Sequence, residues 1–253
     1  MASRKNWTFP MQPRFDSNQW IKVFTIFWLT YVAFNVKSPL TAFFNPRMGS
    51  MWRAQDTWII IGGAILYCAI SLGGLFWAAG FEGFEQLFAK PRWRDLWYIV
   101  AYGSLQLIFN AFGTFLASFV PTTFGENLTD TLGAAQFDSL AGFWTATVAN
   151  FFSTFSSQII AVLIFLCLIQ YLLPQIKTPW LGWTVVYTLT CLLVGALATT
   201  ADNSQLVQNI LVYGLGQLPL LWAYRRSRNV LIPVLALVIF GRLLIFLLLI
   251  LGL

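Results

Sequence analysis

The sequence predicts an all-α, polytopic membrane bundle of about seven transmembrane helices, on three observations. Hydrophobic residues make up 58% of the 253 residues and charged residues 9%. Apolar runs recur along the chain, each near the ~20 residues that a helix needs to cross a bilayer. The breaks between them carry Pro, Gly or charge, and the runs are too long and too evenly apolar for the alternating strands of a barrel.

The elements follow in order. Residues 1–19 are polar and aromatic, with Arg4, Lys5 and Arg14, and form an N-terminal cytoplasmic segment. The first span covers 20–36. It has no small-residue cleavage pattern at its end and reads as a retained helix, not a signal peptide. Further spans fall near 57–79, 96–120, 149–173, 180–200, 205–224 and 230–253. Residues 20–253 therefore form one bundle in contact with the lipid bilayer. Pro219 and Pro233 are expected to kink or start helices.

Two connections look interfacial. Phe81, Phe84, Leu87 and Phe88 recur at helical spacing beside Glu82, Glu85 and Lys90. That pattern suits an amphipathic helix on the membrane surface, serving as an anchor or as a docking or gating element. Residues 122–140 place Leu128, Leu132 and Ala135 on one face of a short external helix that starts near Asn127. Trp20, Trp52, Trp58, Trp93, Trp97, Trp180 and Trp222 lie near span ends, as aromatic belts do.

Charge sets orientation. Arg4, Lys5, Arg14 and Lys22, then Lys90, Arg92 and Arg94, then Lys177, then Arg225, Arg226 and Arg228 fall on one side of a seven-span chain. Glu126, Asp130, Asp138 and Asp202 fall opposite, with Arg47 and Arg53 as exceptions. The positive-inside rule then predicts a cytoplasmic N-terminus and an external C-terminus in the cell membrane. The net charge of +6 is thus a topology signal. Nucleic acid is not an expected partner, because no soluble domain presents a basic face.

The chain contains no histidine, which removes the commonest neutral-pH base and a common metal ligand. Cys68, Cys167 and Cys191 lie in apolar runs without CxxC spacing. They read as small buried hydrophobes, and no metal or other cofactor is expected. Glu82 and Glu85 read as the polar face of the amphipathic helix. Ser153, Ser156 and Ser157 have no Lys or His beside them in sequence to activate a nucleophile.

Polar groups within spans remain. Arg242 lies about twelve residues into the last run, roughly 18 Å by helical rise. It costs at least ~2.5 kcal/mol there unless it snorkels or is paired. Asp202 is a candidate counter-ion, with Gln158 and the Thr199 hydroxyl as hydrogen-bond partners. Gln106, Asn110, Asn150, Ser157, Gln158, Gln208, Asn209 and Gln217 read as interhelical glue or as the lining of a cavity.

The stretch 221–235, Leu-Trp-Ala-Tyr-Arg-Arg-Ser-Arg-Asn-Val-Leu-Ile-Pro-Val-Leu, ends one helix in an aromatic and a basic turn and opens another with a polar residue and a proline. Before it come Gly195-Ala-Leu-Ala-Thr-Thr, a polar break, and a helix with Gly214 and Gly216. In this order and spacing, about residues 149–253 resemble the core of the CPBP family, the CAAX-prenyl protease and bacteriocin-processing membrane proteins also called Abi. Tyr224, Arg225, Asn229 and Pro233 fit its register. Peptide-cutting members carry a Glu-Glu pair followed by Arg, then Phe-xxx-His, then His-xxx-Asn. Here Ser157 and Gln158 stand at the acids, Val162 at the Arg, Gly195 and Thr199 at the second motif, and Leu237 and Gly241 at the third.

The resemblance therefore implies the scaffold and argues against the protease. The expected function is a non-catalytic, pseudoprotease-like protein that binds or regulates another membrane protein or complex, or a hydrophobic peptide. The setting implied by the resemblance is bacteriocin immunity or a transporter complex. The candidate residues of the vestigial cavity or partner surface are Ser157, Gln158, Thr199, Asp202, Gly241 and Arg242. A transporter component or small-solute carrier is the alternative, and an active intramembrane peptidase is a third reading.

Overall fold

The computed structural model describes residues 15–35, 54–119, 140–198 and 206–251, with the backbone alone for 31–35, 54–60, 140–143, 145–146 and 242–251. Seven long helices run through them: α1 Ser17–Asn35, α2 Ala54–Leu87, α3 Trp93–Ala117, α4 Leu140–Tyr171, α5 Pro179–Leu197, α6 Leu206–Ser227 and α7 Leu231–Leu251. Among the described residues there is no strand, and one isolated bridge joins Phe88 to Asn229. Five segments are long and apolar enough to cross a membrane: Ile61–Leu87, Trp93–Ala117, Thr147–Gln175, Pro179–Leu197 and Leu206–Ser227. The described side chains of α7 make a shorter apolar stretch, Leu231–Gly241. The chain is thus a multi-pass membrane bundle by length and composition.

Local chemistry sets the helix ends. At α1, Asp16 Oδ1 accepts the Gln19 N–H at 2.7 Å and Gln19 Oε1 accepts the Asp16 N–H at 2.9 Å, a reciprocal capping box. Asp95, in the first turn of α3, accepts the Arg92 N–H at 2.7 Å. Pro179 opens α5, where its missing N–H costs nothing. Asn229 Oδ1 accepts the Leu231 N–H at 2.9 Å at the start of α7. Pro233 is the third residue of that helix, and Pro219 lies inside α6.

The expected break at Gly80 is a kink. Gly80 has φ 70 and ψ 179, a region open essentially to glycine, and helix resumes beyond it to Leu87. The amphipathic segment therefore continues α2 on a new axis. Gly83 and Leu87 are buried, Phe84 and Phe88 pack against the core, and Phe81, Glu82 and Glu85 are exposed. The face expected to lie on the membrane is instead turned largely into the protein core through Phe84, Leu87 and Phe88, and only Phe81 of the four is exposed. The external segment 122–140 lies outside the described residues apart from the backbone of Leu140.

α4 and α6 form the centre of the bundle: 67% and 56% of their spanning windows are buried, against 22% for α3. Phe165, Ile159 and Leu163 of α4 and Leu220 and Leu221 of α6 are fully enclosed. α6 is squeezed between α3 and α5. A Cβ on Gly113 of α3 would meet the Leu211 carbonyl oxygen, and one on Gly214 would lie 2.6 Å from the Cys191 oxygen. Small residues let backbones approach this closely in membranes, where lipid supplies no hydrophobic drive between helices.

Trp93, Trp97 and Trp180 are exposed at helix starts, as belt residues should be. Trp20 is different. It is 4% exposed, packs against Phe15 and donates its indole N–H to Gln170 at 3.2 Å. Trp222 packs against Phe109 and Tyr187. Trp20 is a core residue because the capped start of α1 folds inward on α4, and Trp222 is half-buried against the core because α6 is internal. Trp52 lies outside the described residues. Cys68 and Cys191 are buried, Cys167 is half-buried, and all three are free thiols.

Candidate functional site

α4 meets α6 through Gln158. Gln158 and Gln217 pair amide to amide: Gln217 Nε2 donates to Gln158 Oε1 at 2.8 Å, and Gln158 Nε2 donates to Gln217 Oε1 at 3.2 Å. They are 3% and 5% exposed. Beside them opens a cavity of about 650 Å³, within the range of sites that hold small molecules. Its walls come from α1 (Phe24, Trp28), α5 (Leu193, Leu197) and α6 (Tyr213), and Leu237 of α7 also lines it. Ser157 sits on the lining and returns its hydroxyl to the Thr154 carbonyl at 3.0 Å.

Each primary amide carries two N–H donors and a carbonyl with two lone pairs. The mutual pair uses one of each per side chain. One donor and one acceptor per glutamine are left for a guest in a mostly apolar wall. That combination suits an amide, as in a peptide backbone.

α6 is irregular where it borders this cavity. Residues Ile210–Gly214 form a π turn, and Tyr213 within it lines the cavity. Pro219 follows one turn later and cannot donate to the Leu215 carbonyl. π turns recur at functional sites because they re-aim side chains. Nearby on α3, Gln106 Oε1 and Asn110 Oδ1 are buried without a hydrogen-bond partner, and so is the Ser71 hydroxyl of α2.

The structure brings together part of the expected set. Ser157, Gln158 and Leu237 line one cavity. Gly195 does not line it; a Cβ there would meet the Ile210 backbone at 2.6 Å. Val162 is buried in the core. Gly241 lies on α7 with open space at its Cα. Arg242 is on the same helix, described by its backbone alone. Thr199 and Asp202 lie outside the described residues. Gln217 belongs with Gln158, a pairing across 59 positions that sequence spacing does not disclose. Its signal in the sequence is its place between Gly216 and Pro219 in an interrupted span. Among the described residues, no three His, Cys, Asp or Glu side chains gather as a metal site.

The residues of the family register have structural roles. Arg225 stacks on Trp183, 3.7 Å from the ring centroid, and donates to the Tyr187 hydroxyl at 3.3 Å. Tyr224 is buried in the core. Asn229, besides starting α7, donates its Nδ2 to the Ala89 carbonyl at 2.7 Å. No family model, no curated protein and no solved structure matches the chain.

Proposed function

We propose that this chain is a non-catalytic membrane protein on a CPBP-like scaffold that binds a hydrophobic peptide, or a segment of another membrane protein, in the cavity beside Gln158 and Gln217. The observation that carries the reading is a buried amide pair on the wall of a mostly apolar cavity. Apolar walls suit a hydrophobic segment, and the spare amide donors and acceptors suit its backbone. Ser157 and Gln158 stand where the family's acids would be, and neither can serve as a carboxylate. Immunity to a bacteriocin or regulation of a transporter is the setting the resemblance implies.

The same reading has all seven helices crossing the membrane, with the N-terminus cytoplasmic and the C-terminus external. Lys22, Lys90, Lys177 and Arg226 lie at the start of α1, after α2, between α4 and α5, and at the end of α6, which alternating spans place at one end of the bundle.

The test is a photo-crosslinking residue placed at Trp28 or Leu193, which line the cavity, and at Ile108, which is exposed elsewhere on α3. A hydrophobic peptide should be captured from the first two positions and not from the third. Equal capture from all three overturns the reading. Cleavage of a reporter peptide, abolished by Ser157→Ala or Glu85→Gln, would restore the peptidase.

A second reading, a small-solute carrier, is favoured by the π turn and Pro219 in α6, since interrupted helices line many transport sites. Uptake by the purified chain in proteoliposomes, weakened by Tyr213→Ala, would establish it in place of the first.

A further inference from the structure

We propose that a second recess, where the end of α2 and the α2–α3 loop meet the α6–α7 turn, binds the phosphate of an anionic phospholipid headgroup. The recess encloses about 620 Å³ and is lined by Lys90, Arg92, Arg94, Arg226 and Arg228 against one carboxylate, Glu85. Among the described residues, Lys90, Arg92, Arg94 and Arg226 form no ion pair.

The cations come from separate stretches of chain that the backbone holds in register. Ala89 N–H donates to the Arg228 carbonyl at 3.2 Å, and Val230 N–H donates to the Leu87 carbonyl at 3.1 Å. Asn229 donates to the Ala89 carbonyl from the same turn. The two basic loops are therefore one pinned unit.

Helix electrostatics does not explain the cluster. Cations at the C-terminus of α6 complement its dipole, which accounts for Arg225 and Arg226. Arg92 and Arg94 lie at the N-terminus of α3, where positive charge is unfavourable. The acid in that first turn, Asp95, is buried and already caps the helix. Arg228 adds a second oddity. It ends α6 with φ 57, the one non-glycine with positive φ among the described residues. Glycine is the common residue at such a helix end, so the chain keeps a cation here against backbone preference. An anion in the recess would stabilise all five cations at once through charge-assisted hydrogen bonds.

The neighbourhood selects a lipid over a free phosphate. Trp93 and Trp97, one turn apart on α3, are 87% and 73% exposed, and Leu96 between them is exposed as well. Such a surface sits at headgroup depth in a bilayer, which brings lipid phosphates to the recess.

The experiment measures dissociation constants of the full-length protein in detergent by native mass spectrometry, with phosphatidylglycerol, cardiolipin, phosphatidylcholine and inorganic phosphate as probes. The two anionic lipids should bind at least tenfold more tightly than phosphatidylcholine, and inorganic phosphate should not compete at millimolar concentration. Arg94→Gln with Arg226→Gln should weaken anionic lipid about thirtyfold, the attraction of two basic side chains near a membrane surface. Lys22→Gln with Lys177→Gln removes the same charge elsewhere and should leave affinity unchanged. Arg228→Gly should lower affinity several-fold without lowering the thermal midpoint. Equal losses in both double variants, equal binding of phosphatidylcholine, or competition by inorganic phosphate overturns the proposal.

Discussion

Replacing Gln217 with leucine tests the pairing on which the cavity's chemistry rests. Leucine is close to glutamine in size, so the change acts mainly through polarity. Two hydrogen bonds, at 2.8 and 3.2 Å, disappear together. Such bonds between membrane helices average ~0.6 kcal/mol each, or about 1.2 kcal/mol for the two. Gln158, 3% exposed, is left with an orphaned amide, a further cost of about 1–3 kcal/mol. The added apolar surface offsets about 1 kcal/mol of this, so either single leucine should destabilise the protein by about 2 kcal/mol. Gln158→Leu with Gln217→Leu leaves no orphan and should lie within about 1 kcal/mol of the unaltered protein. The double variant then falls about 3 kcal/mol short of the sum of the singles, the mark of direct coupling. The assay is thermal or SDS denaturation of all four proteins in one detergent, with peptide binding measured alongside. The double variant should fold and lose the peptide. Additive destabilisation would refute the pairing, and full binding by a folded double variant would refute the role of the amides.

Gly113→Ala should lower stability by about 1–3 kcal/mol, because the new Cβ meets the backbone of Leu211 and Val212 and pushes α3 from α6. Gly62→Ala, with nothing within 4 Å, should raise it by up to about 1 kcal/mol through helix propensity; thermal midpoints moving in the same direction would contradict the close packing. Gly80→Ala also meets nothing within 4 Å, so its cost of about 1–3 kcal/mol is purely one of backbone conformation. It should expose Arg92, which precedes Trp93, to trypsin faster than in the unaltered protein, and unchanged cleavage would argue against the kink. Asn229→Ala should cost about 2 kcal/mol by freeing the Leu231 N–H and the Ala89 carbonyl. Asn229→Asp should recover part of the loss by keeping the acceptor. Equal midpoints for the two variants would mean the side-chain contact to Leu231 contributes nothing.

The sequence by itself determined the helical class and the multi-pass character. Both follow from local quantities: run length, mean polarity, and where Pro, Gly and charge interrupt. The breaks after residue 79 and before residues 180 and 230, and the exposed Trp93, Trp97 and Trp180, were legible for the same reason. The tertiary structure alone decided which polar residues meet. Gln158 and Gln217 are 59 positions apart, and nothing in their neighbours' chemistry names a partner. Whether an amide pairs, lines a cavity or stays orphaned like Gln106 depends on how α3, α4 and α6 are rotated. Glycine contacts such as Gly113 on Leu211 fix that rotation. Trp20 marks the same divide: a span-end position suggests a belt, and only the inward packing of the start of α1 makes it core. The basic recess follows suit, since residues 90–94 and 226–228 become one surface through the backbone bonds that join Leu87 and Ala89 to Arg228 and Val230.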